Sequence, residues 1–381
     1  MLLNMRTKSN PDWHFQRPEL ADYYLKSFAL KLSNSRALFA RRRMGKTEFL
    51  LQDLGPAAAK QGYRVIYINL WECRDNTSEG VASSVIHSLQ NSDGFLERIK
   101  KISSKKIGTI KLNAKTPMAE GSFETRFEAE KSTANLMTNM WQQIDQCQDT
   151  ILLLIDEAQI LASANNGDLA AALRAGLDVR KQKIHVIFTG SSEHTLRDMF
   201  AKSNQPFYNW APVEPFPLLD NLFVQHMIAV SNHILDRNYH LTDQQGIEAF
   251  NQLKQTPELF RRFLEEYLIR PFHGCLSAIE NALAKTYTDQ GFDSLWSELL
   301  PVDRIILQAI AAKQEGLSSK NTRIKLGQYL GLAEIANHTV NNALARLFEK
   351  QHLSREDRGV YRFEDDHFEE WIKLEHPLPT W

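Results

Sequence analysis

Up to about residue 217, short apolar runs alternate with stretches whose apolar positions recur at helical spacing. Leu20, Tyr23, Tyr24, Leu25, Phe28, Ala29 and Leu32 give an opening amphipathic helix, with Pro18 in its first turn and Glu19 favourably placed on the helix dipole. Strands are predicted at 37–40, 64–71, 150–157 and 184–192, with a short last one within 211–216, whose prolines suit an edge. Helices are predicted between them, over about 45–59, 78–89, 132–146, 168–177 and 193–202. This alternation implies right-handed parallel α/β units. The run Ile151-Leu-Leu-Leu-Ile155 has no polar alternation, as befits a central strand buried on both faces.

From Leu218 the strand pattern stops. Helices are expected near 221–235, 242–253, 258–269 and 276–288, with Asp220 and Thr242 as N-caps and Pro257 at or near the first helical position of the third. From about Leu299 there follow helices at 302–313, 322–330 and 337–351, a two-stranded hairpin over 353–363 and a closing helix from Asp365 to Leu374. Three helices and a β-wing make a winged helix-turn-helix. The predicted division is therefore 1–217, 218–298 and 299–381. One segment, about 91–131, breaks the rhythm. Arg98, Lys100, Lys101, Lys105, Lys106, Lys111 and Lys115 occur there without an intervening acid, and the segment is either a basic arm for phosphates or acidic partners or a solvated insertion.

Composition changes this picture little. The 381 residues are 43% hydrophobic with a formal net charge of −1, so any nucleic-acid or membrane contact must come from local patches. Cys73, Cys147 and Cys275 are too scattered for a zinc site or a disulfide framework, which fits a reducing cytoplasm. No signal-peptide core opens the chain, and its most apolar run is too short to span a bilayer.

The chemistry concentrates at Ala40-Arg-Arg-Arg-Met-Gly-Lys-Thr47, which joins the first strand to an apolar-periodic helix. Strand, loop and helix ending in Gly-Lys-Thr is the context of a phosphate-binding loop. Ala40, Arg41, Arg42, Arg43, Met44, Gly45, Lys46, Thr47 and Glu48 would cradle the polyphosphate of ATP. Lys46 would reach its β- and γ-phosphates, and Thr47 would offer a hydroxyl to Mg²⁺. The usual first glycine of this pattern is Ala40 here, tolerable only if its backbone is ordinary. The second diagnostic is Asp156-Glu157. On a strand packed beside the loop strand, Asp156 would hold Mg²⁺ and Glu157 would act as general base on a water. On the next strand end a hydroxyl, Ser191 first and Thr189 second, can feel the γ-phosphate, while Ser192 suits an N-cap.

These three motifs, quoted as Ala40–Thr47, Leu153-Leu-Ile-Asp-Glu-Ala-Gln159 and Phe188-Thr-Gly-Ser-Ser192, resemble the archaeal-type P-loop ATPases of the AAA+/STAND group. The order of core, helical lid and winged helix also resembles archaeal origin-recognition-type initiators. The resemblance implies an α/β P-loop NTPase with a parallel sheet flanked by helices, an all-helical lid and a winged helix-turn-helix. It also implies ATP and Mg²⁺ as cofactors and ATP hydrolysis as the activity. Two departures stand out. Ala40-Arg41 replace the family's Gly-Pro, and Trp210 stands where the family often carries an arginine. Loss of an arginine finger predicts slow turnover, since such a residue can be worth ~10³–10⁵ in rate. Arg261 and Arg197 are the candidate sensor arginines.

For DNA the candidates are Lys320, Arg323 and Lys325, then Asn341, Asn342 and Arg346 on the third helix, and Arg358 in the wing. Asn and Arg can read base edges, and Lys and Arg can hold phosphates. Glu349, Glu356, Asp357, Glu364, Asp365 and Asp366 dilute this charge, which leaves open a winged helix that docks protein. The expectation is a cytoplasmic, slowly hydrolysing ATPase that acts as a switch on duplex DNA. The alternative is a nucleotide-clamped scaffold or signalling protein, with a protein partner or a second copy of itself.

Overall fold

The computed structural model describes residues 12–31, 33–90, 123–289, 291–350, 352–357 and 359–378. Of the basic segment 91–131, residues 91–122 lie outside the described residues. Phe123 onward belongs to a helix that continues to Gln146, so this helix begins earlier than its apolar periodicity suggested.

The first compact unit comprises Gln16–Ala40 and Lys46–Phe216. It is built on five strands: β1 (Ser35–Phe39), β2 (Arg64–Asn69), β3 (Ile151–Asp156), β4 (Ile184–Gly190) and β5 (Val213–Pro215). They pair in the order β2-β3-β4-β1-β5, and every pairing is parallel. β3 and β4 are buried along their whole length, which is what their unbroken apolar runs require, whereas β5 is a short edge strand carrying Pro215. One expectation is corrected. The strand that ends in Asp156 does not adjoin the loop strand, because β4 lies between β3 and β1. Hydrophobic runs identify strands but carry no information on which pairs with which.

Helices flank this sheet. α1 (Pro18–Ala29) buries Ala21, Tyr24, Leu25 and Phe28, one stripe of its surface. After the loop the chain forms α2 (Lys46–Glu48), a π-helical turn over Phe49–Leu54, and α3 (Gly55–Lys60). α4 (Thr77–Gln90), α5 (Phe123–Gln146), α6 (Gly167–Val179) and α7 (Glu193–Ala201) complete the set. Packing is aromatic at one end of β4, where Phe188 meets Phe200, Phe207 and Trp210 at centroid separations of 5.3, 5.4 and 5.7 Å. Edge-to-face pairs of this kind contribute about 0.5–1.5 kcal/mol beyond area burial.

The second unit contains Pro217–Trp381 together with the short stretches Met1–Phe15 and Arg41–Gly45. It holds two hydrophobic clusters. The first gathers Phe223, Phe250, Phe260 and Phe263 from α8 (Asn221–Ile234), α9 (Asp243–Gln252) and α10 (Pro257–Ile269), with α11 (Gly274–Asp289) closing it and Trp13 and Phe15 packed on it. The expected caps are present: Asp220 accepts from Leu222 N, Thr242 forms a capping box with Gln245, and Pro257 sits in the first turn of α10. The second cluster draws on α12 (Phe292–Glu298), α13 (Pro301–Ala311), α14 (Lys320–Tyr329) and α15 (Asn337–Glu349). An antiparallel hairpin of β6 (Leu353–Asp357) and β7 (Val360–Phe363) follows, then α16 (Asp366–Glu375). Val340, Ala343, Leu344 and Leu347 form the buried face of α15, as their spacing predicts.

Candidate functional site

β1 delivers the chain into Ala40 and the loop beyond it. Ala40 is not among the residues of positive φ, so the ordinary backbone that an alanine needs is what the loop entrance has. The left-handed positions fall later, at Arg43 (φ 66°) and Gly45 (φ 82°). Gly45 suits its position, whereas Arg43 holds a conformation costing a β-carbon residue of order 1–3 kcal/mol. Arg43 is tied by ion pairs to Glu258 (3.3 Å) and Asp365 (3.2 Å). Arg41, Arg42, Arg43 and Met44 line a small cavity with Thr256, Glu364, Asp365 and His367. Burial, together with nearby Arg362, pulls the Arg41 guanidinium below its ordinary pKa, and burial does the same to His367.

Lys46 opens α2 and is buried, its Nζ donating to Ala40 O at 2.6 Å. The next residue makes the contact that matters most: Thr47 Oγ1 donates to Asp156 Oδ2 at 2.5 Å. Asp156 is 1% exposed and receives three further hydrogen bonds. Tyr67 OH donates to Oδ2 at 3.1 Å, while Thr189 Oγ1 and Glu157 N donate to Oδ1 at 2.5 and 3.1 Å. The interposed strand β4 supplies one of these, since Thr189 near its end reaches across to β3.

Glu157 follows with a left-handed backbone (φ 57°), which turns the chain off β3. Its Oε2 accepts from Ser191 Oγ at 2.9 Å and from Gln159 Nε2 at 2.5 Å, and Gln159 Nε2 also reaches Ser191 Oγ at 3.0 Å. Thus Ser191 contacts the second carboxylate and Thr189 the first. Ser192 is the N-cap of α7, accepting from Thr195 N.

Lys46, Thr47, Asp156, Glu157, Thr189 and Ser191 are therefore gathered at the C-terminal ends of β1, β3 and β4, where open α/β sheets bind ligands. Thr47 and Asp156 offer a hydroxyl and a carboxylate in direct contact, the oxygen donors a hard divalent cation takes. Glu48 continues α2 beside them. Tyr67 and Gln159 belong to the same network and were not singled out by sequence reasoning. Gln159 had a signal, lying two residues after the acidic pair; Tyr67 had none beyond being the one hydroxyl inside β2.

The arginine candidates have contacts of their own. Arg197 stacks over Phe39 at 4.7 Å and pairs with Glu193 one helical turn away. Arg261 donates to Trp13 O at 3.0 Å. Trp210 is core, donating to Asp178 at 2.8 Å within the Phe188 cluster. Among the nucleic-acid candidates, Lys320, Lys325, Asn341 and Asn342 are exposed. Arg323 is held by Glu334 at 2.6 Å and by two backbone carbonyls, and Arg346 by the buried Asp303 at 2.6 Å. Arg358 lies outside the described residues.

No group of His, Cys, Asp and Glu that could hold a metal ion by itself occurs among the described residues. No helix there is long and apolar enough to cross a membrane. The three cysteines are unpaired thiols.

No protein-family model matches the chain, and no curated protein does. Solved structures do. The Walker-type ATPase paby2304 of Pyrococcus abyssi is similar over 97% of this chain and 99% of its own, with a TM-score of 0.59 at 19% identity. The ADP form of the Aeropyrum pernix ORC2 protein is similar over 94% of this chain and 92% of its own, with a TM-score of 0.54 at 13% identity. The fold is thus that of the AAA+ P-loop ATPases, as the three motifs led one to expect.

Proposed function

We propose that this chain binds ATP with Mg²⁺, hydrolyses it slowly, and acts as a nucleotide-dependent switch on DNA through a C-terminal winged helix. The observation that carries the reading is the contact of Thr47 with Asp156. It joins the first turn after a Gly-Lys-Thr loop to the acid ending a neighbouring-but-one strand, which is the pairing a Mg²⁺–nucleotide site requires. Bound Mg²⁺ would neutralise charge on the β- and γ-phosphates. Lys46 supplies a further positive charge to them, and the loop amides orient them. Glu157 takes the proton of the attacking water, and Ser191 orients the carboxylate that does so. Trp210 is part of the core and Arg197 is paired with Glu193, so the reading counts on neither position for an arginine finger. Slow turnover is therefore expected unless one is brought from another molecule.

The DNA part of the reading rests on α15 and α14, which present Asn341, Asn342, Lys320 and Lys325 to solvent. A second reading, docking of a protein partner, is favoured by one observation: Arg323 and Arg346 are engaged by Glu334 and Asp303. The discriminating experiment measures Mg²⁺-dependent ATP hydrolysis with and without duplex DNA at two salt concentrations, using the parent and Lys46→Ala. Turnover that Lys46→Ala abolishes, together with DNA retention that falls with salt and with Asn341→Ala/Lys320→Ala, is expected. Turnover without any DNA retention supports docking instead, and absence of ATP binding by calorimetry refutes the nucleotide reading.

A further inference from the structure

Gln159 has no role in the reading above, yet it is 3% exposed and sits between its two acting groups. Its Nε2 carries two hydrogens and uses both, one toward Glu157 Oε2 and one toward Ser191 Oγ, while Ser191 itself donates to the same Oε2. The three side chains close a triangle. The amide orientation follows from chemistry, since the flipped amide would set its carbonyl against a carboxylate. Its Oε1 is buried with no hydrogen-bond partner among the described residues. The backbone makes room for it: a β-carbon at Gly190 would stand 2.7 Å from that oxygen. An apolar side chain of similar size would fill the space without burying an unpaired carbonyl. What the amide contributes here is its two N–H groups, one of them to a carboxylate.

We propose that Gln159 is a positioning residue for Glu157, fixing the carboxylate against Ser191 so that one oxygen is held and the other faces water. This rests on the ATPase reading. Both hydrogen bonds of the carboxylate among the described residues fall on Oε2, which leaves the lone pairs of Oε1 to take a proton from the attacking water. Glu157 needs such a restraint, because it stands in a left-handed turn just past the end of β3. A neutral amide keeps both donors at every pH, and Ser191, accepting from Gln159 and donating to Glu157, is polarised toward the carboxylate.

The test compares steady-state ATP hydrolysis and thermal unfolding of the parent, Gln159→Leu, Glu157→Gln and the double variant. Gln159→Leu is expected to lower kcat on the order of tenfold or more with KM within about twofold, as loss of an aligned general base does. Its melting temperature should fall by only a few degrees, leaving the chain folded at the assay temperature, so that the loss in kcat is not a loss of folded protein. The double variant should be no slower than Glu157→Gln alone, because Gln159 acts through that carboxylate. In a crystal of nucleotide-free Gln159→Leu, Glu157 should no longer occupy a single position. Should Gln159→Leu fail to fold, Gly190→Ala displaces the amide and should lower kcat in the same direction. A kcat within twofold of the parent in a chain that Glu157→Gln inactivates overturns the inference alone. A parent that turns over no ATP, indistinguishable from Glu157→Gln, overturns the ATPase reading and this inference with it.

Discussion

Replacing Tyr67 by phenylalanine removes one of four donors that hold Asp156. The carboxylate is almost wholly buried, so its charge is carried by hydrogen bonds from Thr47, Tyr67, Thr189 and Glu157 N. A hydrogen bond to a charged group contributes about 1.5–3 kcal/mol. The Tyr67 contact is 3.1 Å, long for an O–H donor, so the loss should lie near 1.5 kcal/mol. Phenylalanine fills the same volume and opens no cavity. At about 2–4 °C per kcal/mol for a domain of 150–250 residues, melting of the nucleotide-free protein should fall by about 3–6 °C. The functional consequence follows from which oxygen is affected. Oδ2 is shared by Thr47 and Tyr67, and Thr47 is the hydroxyl that the proposed site would offer Mg²⁺. Without Tyr67 the carboxylate is less firmly aimed, and the Mg²⁺ concentration for half-maximal hydrolysis should rise severalfold while Lys46-dependent nucleotide binding persists. Differential scanning calorimetry and a Mg²⁺ titration of turnover measure the two effects. A melting temperature within 1 °C of the parent, with superimposable Mg²⁺ curves, would refute the assignment of Tyr67 to this network.

Three other outcomes are expected. Arg346→Ala leaves Asp303 buried without its guanidinium and should destabilise by about 2–3 kcal/mol in urea unfolding, somewhat below the ~3–5 kcal/mol of a fully buried pair because the arginine is 37% exposed; Asp303→Asn should recover part of this. His352 is pushed down to about 4 by burial, with Lys350 and Arg42 adding to it, so it is neutral when folded while its unfolded form titrates near 6.5. Its contribution is complete above pH 6.5 and is lost as the pH falls toward 4, up to about 3 kcal/mol, and His352→Gln should flatten that slope in pH-dependent denaturation. Gly176→Ala places a β-carbon 2.2 Å from the ring of Trp141 and should cost about 1–3 kcal/mol despite the better helix propensity, measured by thermal melting.

Much of the fold was legible because its signals are local. An unbroken apolar run marks a buried parallel strand whatever its neighbours are, and Asp220, Thr242 and Pro257 announce helix starts within a few residues. Strand order was not legible, because β4 slides between β1 and β3 for reasons of crossover handedness and packing that no single segment carries. The site divides the same way. Lys46, Thr47, Asp156 and Glu157 stand in motifs whose spacing encodes their chemistry. Tyr67 enters only because β2 and β3 are paired in parallel register with Asn69 opposite Asp156, a tertiary fact. The helical surface of α15 misled in a different manner: Arg346 looks like a solvent-facing cation in sequence, and only the fold reveals Asp303 beneath it.

The π-helical turn over Phe49–Leu54 has a consequence for how this chain can vary. A π turn is what an α-helix becomes on taking in one extra residue, and the surplus is stored here without disturbing the hydroxyl at Thr47 or the buried Ala58 beyond it. The segment is thus a length buffer. A one-residue deletion there would revert the turn to ordinary helix and leave both the loop before it and the helix after it in register.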